Sequence, residues 1–194
     1  MNLELIKKAI KKVVRFKPEE FDQFAQQVKL IQLAKNEIWE TRGRVSQQMG
    51  FVNQGILREY RVKNDEEFIQ QFYAEGDFMG NYISYQSNTP SETTTVAIEA
   101  CEILQIPFKT LETLASQIPD IQIFSEHIGQ HKLHQIHQRA SSLLTETPEE
   151  RYHQFLKNQP ELLQRIPQYF IAQYLGITPM SLSRIRKRIF INNG

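Results

Sequence analysis

The chain has 194 residues, 40% of them hydrophobic, a formal net charge of +1 and one cysteine. These values allow one large domain or two small ones around a packed core, and they exclude an intrachain disulfide or a cysteine-built metal site. No apolar run approaches the ~18–20 residues of a membrane span, and no signal peptide precedes Met1-Asn-Leu-Glu, so a cytoplasmic protein is expected.

Residues 2–14 read as an amphipathic helix, with Leu3, Ile6, Ile10, Val13 and Val14 on one side and lysines on the other. Pro18-Glu-Glu opens a second short helix carrying Phe21 and Phe24. The period then changes. Short β-rich runs fall at 28–33, 37–41, 49–53, 56–62, 67–73, 93–98 and 102–106, separated by turn signals at Lys35-Asn36, Gln54-Gly55, Lys63-Asn-Asp65, Glu75-Gly-Asp77 and Asn88-Thr-Pro90. Strands at this spacing imply an antiparallel sandwich or roll, and the whole chain an α+β fold. Cys101 lies in one of these apolar runs and reads as buried and inert.

Pro107 opens a short helix, and from about Pro119 to Leu144 the pattern is helical and long. Ile121, Phe124, Ile128 and Ile136, with Leu143 and Leu144, form a broken apolar stripe along it. A helix of roughly 25 residues spans nearly 40 Å, more than a small domain needs for its own core, so packing against a second copy is expected. Thr147-Pro-Glu-Glu150 is a capping box with proline at the first helical position, and a new helix starts there.

The stretch from Gln168 to Arg188 reads as two short helices hinged at Leu175-Gly176-Ile177. Gly176 can take the positive φ of a tight interhelical turn, and the small Ala172 lies where the two helices pass closely. Thr178 can cap the second helix, with Pro179 at its first position. Ile171, Leu175, Ile177, Leu182 and Ile185 supply the inward set. At about 100° per residue, Leu182, Ile185 and Ile189 share one side, while Met180, Arg184 and Lys187 face the other, flanked by Ser181, Ser183 and Arg188. Arg186 falls nearer the apolar side, better placed for a phosphate or a neighbouring carboxylate than for a base edge.

This is a helix-turn-helix pattern, and a major groove accepts its second helix. Arg184 is the candidate to grip guanine with two hydrogen bonds; Thr178, Ser181 and Ser183 are short donors for phosphates or nearby bases, and Met180, Lys187 and Arg188 complete the expected DNA-binding set. Charge agrees with this reading. From Pro148 onward there are seven Lys/Arg against three acids, whereas the first 147 residues carry sixteen basic and nineteen acidic side chains. A small basic unit on a mildly acidic body fits a module that meets phosphate at one end.

The segments Gln54-Gly55-Ile-Leu-Arg58 and Glu75-Gly-Asp-Phe-Met-Gly80 lie in the strand-rich half. Leu143-Leu-Thr-Glu-Thr-Pro-Glu-Glu-Arg-Tyr152, Pro160-Glu-Leu-Leu-Gln-Arg-Ile-Pro167 and Tyr174-Leu-Gly-Ile-Thr-Pro-Met-Ser-Leu-Ser-Arg-Ile-Arg-Lys187 follow in the other half. Together with the order of helices and strands, they resemble the CRP/FNR family of bacterial transcription regulators over nearly the whole chain. The resemblance implies an N-terminal antiparallel β-roll, a jelly roll like that of cyclic-nucleotide-binding domains, over 1–118. It implies a dimerisation helix over 119–146 and a helix-turn-helix DNA-binding domain over 147–194. It further implies double-stranded DNA, a second copy of the chain and RNA polymerase as partners. The same resemblance puts the candidate effector pocket at Gly80, Asn81, Ser91 and Thr93.

The chain departs from that pattern in the pocket. Cyclic-AMP-binding members carry a glutamate that accepts from the ribose hydroxyl and an arginine that pairs with the cyclic phosphate. Here those positions are Asn81 and Ser91, Glu92 follows, and no Lys or Arg lies between Asn81 and Val96. A buried anionic ligand without a cationic partner is costly. A cation from the long helix, Lys132 or Arg139, is the one substitute. The effector pocket is therefore expected to be empty or to take a ligand without a phosphate. In the recognition helix, Pro179-Met180 replaces the Arg-Glu of the best-known members, so the target sequence should differ. With the sequence ending at Asn193-Gly194, the hairpin wing of some relatives is not expected.

Other functions fit less well. One cysteine cannot hold an iron–sulfur cluster, and the roll has no histidine for haem or for a cupin-type metal enzyme, since all five histidines lie from 127 to 153. His127, His131, His134 and His137 sit along the long helix, the first pair at metal-sharing i,i+4 spacing. Without an Asp or Cys at matching spacing they read as a polar surface row, and neither metal nor cofactor is assigned. No Ser-His-Asp or Cys-His arrangement is visible, so a non-enzyme is expected. The alternative to a regulator is an interaction module with a degenerate sensor and no specific DNA binding.

Overall fold

The computed structural model describes residues 1–192, with side chains described through Ile189; the ending at Asn193-Gly194 lies outside the described residues. The chain forms α1 (Glu4–Lys11), α2 (Pro18–Gln27), β1 (Lys29–Leu33), β2 (Ile38–Glu40), β3 (Gln48–Gln54), β4 (Leu57–Lys63), β5 (Glu66–Tyr73), β6 (Phe78–Met79) and α3 (Tyr82–Ser87). β7 (Thr93–Ala97), β8 (Cys101–Pro107), α4 (Phe108–Gln117), α5 (Pro119–Thr145), α6 (Pro148–Asn158), α7 (Leu162–Arg165), α8 (Gln168–Leu175) and α9 (Pro179–Asn192) follow. It divides into two compact units, one of Met1–Tyr60 with Phe72–Lys132, the other of Arg61–Gln71 with the chain from Leu133 on.

Two four-stranded sheets build the roll, in the orders β1-β8-β3-β6 and β2-β7-β4-β5. Alternation along the strands explains why the first sheet is covered on both faces. Met49, Phe51, Leu104 and Ile106 turn toward α1, α2, α4 and the start of α5, where they join Ile6, Ile10, Phe24, Leu111, Ile121 and Phe124. Their neighbours Val52, Cys101 and Ile103 turn the other way, against Leu57, Tyr73 and Met79. Cys101 is buried, its thiol pushed up to about 11 by desolvation and by the nearby Glu99.

Three features differ from the sequence expectation. The first helix ends at Lys11 rather than running to residue 14, and β-branched Val13 and Val14 continue it poorly, although Val14 is still buried. α3, α7 and β6 are not expected from the sequence: with six, four and two residues they are too short to show an apolar period. The apolar positions of α5 also divide between two faces. Ile121 and Phe124 are core residues with Ile128 packed against them, whereas Leu133, Ile136 and Leu143 point outward at 68%, 50% and 43% exposure.

In the second unit, Tyr152, Phe155, Leu162, Ile166, Ile171, Ala172, Leu175, Leu182 and Ile185 are buried. The β4–β5 turn belongs here too; Asn64 and Asp65 both take positive φ (53° and 59°), the geometry of a tight hairpin. Arg139 of α5 joins these parts. Its guanidinium donates to Ile69 O at 3.0 Å and to Tyr174 O at 2.7 Å, and lies 3.8 Å from the Tyr174 ring centroid. Gln173 donates to Glu67 O at 3.0 Å, and Gln71 to Gln135 at 3.1 Å. The charged hydrogen bonds of Arg139 contribute about 1.5–3 kcal/mol each. Arg139→Ala should therefore lower stability by about 2–4 kcal/mol, read as a shift of the urea midpoint. A midpoint within error of wild type would show that these contacts carry no net stability.

Candidate nucleic-acid interface and effector cassette

The two C-terminal helices meet through local chemistry. Gly176 closes α8 in the left-handed region (φ 69°, ψ 33°), which disfavours any residue with a Cβ. Gly176 N donates to Gln173 O at 3.1 Å and Ile177 N to Ala172 O at 3.0 Å, so the turn uses carbonyls that α8 would leave open. Two cations occupy the next carbonyls along. Besides Arg139 on Tyr174 O, Arg151 donates to Leu175 O at 3.0 Å and to Glu146 O at 2.5 Å. A guanidinium at a helix carboxyl end is favoured by the helix dipole as well as by the hydrogen bond.

The Thr178 hydroxyl accepts from Ser181 N at 3.2 Å and lies 3.0 Å from the Ser181 hydroxyl. Thr178 thus caps α9, and both hydroxyls of the first turn are engaged in doing so. Met180, Ser183, Arg184, Lys187 and Arg188 are exposed, while Ser181 is half-buried. Arg184 Nη2 sits 3.5 Å from Met180 Sδ. Arg188 pairs with Glu149 at 3.0 Å, which draws it toward α6. Arg186 is half-buried, and its charge acts on the buried Tyr152. The expected set therefore divides into an outward group of Met180, Ser183, Arg184 and Lys187, a capping pair, and one cation in an intramolecular ion pair.

The four cassette residues come together in the N-terminal unit. Gly80 has φ 131°, and a Cβ there would lie 2.7 Å from Gln48 O, so the backbone passes too closely for any side chain. Asn81 caps α3 by accepting from Ser84 N at 3.0 Å and donates its amide to Ser91 Oγ at 3.3 Å. Ser91 Oγ in turn lies 3.1 Å from Thr93 Oγ1 and accepts from Thr93 N at 3.2 Å. Ser46 accepts from Asn81 N at 3.3 Å, and Ser46 N donates to Ser84 Oγ at 3.1 Å. Ser46, Ser84, Ser91 and Thr93 are buried, and Glu92 is exposed. Polar groups in this cluster satisfy one another, as buried polar groups must.

The two cations weighed as phosphate partners are engaged elsewhere. Lys132 lies 4.5 Å from the Tyr73 ring centroid and donates to the Tyr73 hydroxyl, which donates to Glu59 at 2.8 Å. Burial lowers the Lys132 ammonium pKa, against the opposing pull of Glu59 and Asp77. Arg139 is committed to carbonyls and to Tyr174 in the other unit. The sequence showed both cations but not these partners, and it gave no sign of the Arg151 and Glu149 contacts. The four helix histidines are exposed, with the His127 and His131 rings stacked at 6.5 Å; no group of three metal-ligating side chains occurs among the described residues.

Comparison with known proteins agrees with this architecture. Residues 30–117 match the family model of the cyclic nucleotide-binding domain. FixK2 from Bradyrhizobium japonicum superposes with a TM-score of 0.75 at 18% identity, covering 86% of each chain. A CooA mutant from Carboxydothermus hydrogenoformans gives 0.71 at 15% identity, covering 97% of this chain and 84% of that one. CLP, a c-di-GMP-responsive global regulator from Xanthomonas campestris, gives 0.68 at 17% identity over 91% and 93%. No curated protein matches the chain. Residues 30–117 are thus similar to a cyclic nucleotide-binding domain. The chain as a whole has the fold of the CRP/FNR transcription regulators. No described helix is long and apolar enough to cross a membrane.

Proposed function

We propose that the chain is a cytoplasmic DNA-binding transcription regulator of CRP/FNR type, and not an enzyme, acting as a homodimer on a near-palindromic operator without control by cyclic AMP. In this reading 1–118 is the sensor, 119–146 the dimerisation helix and 147–194 the DNA-binding domain. The observation that carries it is the outward face of α9. Ser183, Arg184 and Lys187 are exposed on a helix whose opposite side, through Leu182 and Ile185, is buried. A fixed helix with a cationic outer face is what the major groove accepts. The DNA-binding set is Thr178, Met180, Ser181, Ser183, Arg184, Lys187 and Arg188, with Thr178 and Ser181 acting mainly through the cap and Arg188 in exchange with Glu149. RNA polymerase is a further partner on this reading.

Dimerisation is supported by the second face of α5. Leu133, Ile136, Ala140 and Leu143 are exposed and recur at spacings of three, four and three. That is the repeat of a coiled-coil seam. Ile128, grouped with Ile136 in the sequence reading, belongs instead to the roll's own core. The cassette supports independence from cyclic AMP, since Asn81, Ser91 and Thr93 bond to one another and none is a cation.

Arg184→Ala should cost about 1–3 kcal/mol of operator binding per half-site with unchanged circular dichroism. Anisotropy on a duplex enriched from a random pool measures it; unchanged affinity would remove Arg184 from the interface, and failure to enrich any duplex would favour an interaction module without specific DNA binding. Sedimentation should find a dimer at micromolar concentration, and Leu133→Asp with Ile136→Asp should dissociate it, because the seam would then bury charges. A monomeric wild type contradicts the dimer. Calorimetry with cyclic AMP and cyclic GMP should give no binding, and a dissociation constant at or below the micromolar range would mean that a cation outside the cassette grips the phosphate.

A further inference from the structure

The leading turn of α9 is apolar where a base-reading helix usually offers polar groups. Met180, its second residue, is 65% exposed, although methionine is among the residues most often buried. Its neighbours have little to offer a base. Pro179 has no N–H, and the Thr178 and Ser181 hydroxyls are bonded into the cap. N-terminal residues of a recognition helix are the ones that reach base edges. The side chain at the tip of this one is a thioether.

Resting on the DNA-binding reading above, we propose that Met180 is a specificity-determining residue that packs on the 5-methyl group of a thymine. That thymine lies one base step from the guanine read by Arg184. In the major groove the thymine methyl is the apolar feature that distinguishes one base from the others. Methionine is long, unbranched and adaptable, so it can follow the methyl without strict geometry. Adjacency follows from the contact between the two side chains. Arg184 Nη2 and Met180 Sδ are 3.5 Å apart, and neighbouring bases along a strand are about 3.4 Å apart. The pair therefore spans one step, with a cation over one base and a sulfur over the next.

The test uses the full chain and a duplex recovered from a random pool. Uracil replaces thymine beside the conserved guanine, removing the methyl group and nothing else. Wild type should lose about fourfold in affinity for each methyl removed, the loss expected for one buried methyl-sized group. Met180→Ala should bind the thymine and uracil duplexes equally, and the thymine duplex more weakly than wild type does. The proposal is overturned if wild type ignores the uracil substitution, or if Met180→Ala keeps the full uracil penalty. If no duplex is enriched, the DNA-binding reading fails and takes this inference with it. A duplex that depends on Arg184 but not on the methyl group overturns the Met180 proposal alone.

Discussion

The carboxyl end of α8 is where the C-terminal unit is held together. A helix leaves its last carbonyls without internal partners, and burying them unmet is costly. Here every approach to that end is met from a different direction. The Gly176 turn brings N–H groups to Ala172 and Gln173, Arg139 reaches Tyr174 O from α5, and Arg151 reaches Leu175 O from α6. The two guanidiniums act on each other: burial lowers the Arg139 pKa first, and the charge of Arg151 lowers it further. That repulsion is tolerated because both cations sit at the negative end of the same helix dipole. α5, α6, the β5 residues Glu67 and Ile69, and α8 thereby share one set of hydrogen bonds, and α9 leaves from its edge.

This arrangement decides which side of α9 is outward. With Ala172 and Leu175 buried and Thr178 capping the next helix, Leu182 and Ile185 are drawn inward and Arg184 and Lys187 are left outside. The N-terminal unit solves a different problem with the same rule. Its cassette encloses several hydroxyls and an amide, and these are satisfied by one another. On the proposed reading, an effector entering there would first have to displace the Asn81–Ser91–Thr93 bonds, and it would find no cation among those three.

Local chemistry explains how much was legible in the sequence. The strands, the long helix, the capping box at Thr147 and the Gly176 turn all rest on residues within a few positions of one another. Contacts between distant residues were not readable. Arg139 is 35 residues from Tyr174 and Arg151 is 24 from Leu175, and a carbonyl partner leaves no trace in residue type. Arg139 reads in the sequence as a cation of the long helix that could reach a phosphate, because its carbonyl partners are distant in the chain. Arg188 flanks the outward face on the helical wheel, and the wheel cannot show that Glu149, from another helix, lies 3.0 Å from it. The two faces of α5 were merged in the sequence because Ile128 and Ile136 are equally apolar, and only burial separates them.

The central claim is that the outward face of α9 enters a major groove in each half of a twofold-related site. Methylation of guanine N7 blocks the major groove at one base and leaves the minor groove and the phosphates as they were. Scoring which methylated guanines prevent binding of the full chain is the most direct measurement. The account predicts one essential guanine in each half-site, with the two separated by about one helical turn, roughly 34–36 Å. Binding that survives methylation at every guanine, but is lost when the minor groove is filled, would contradict it.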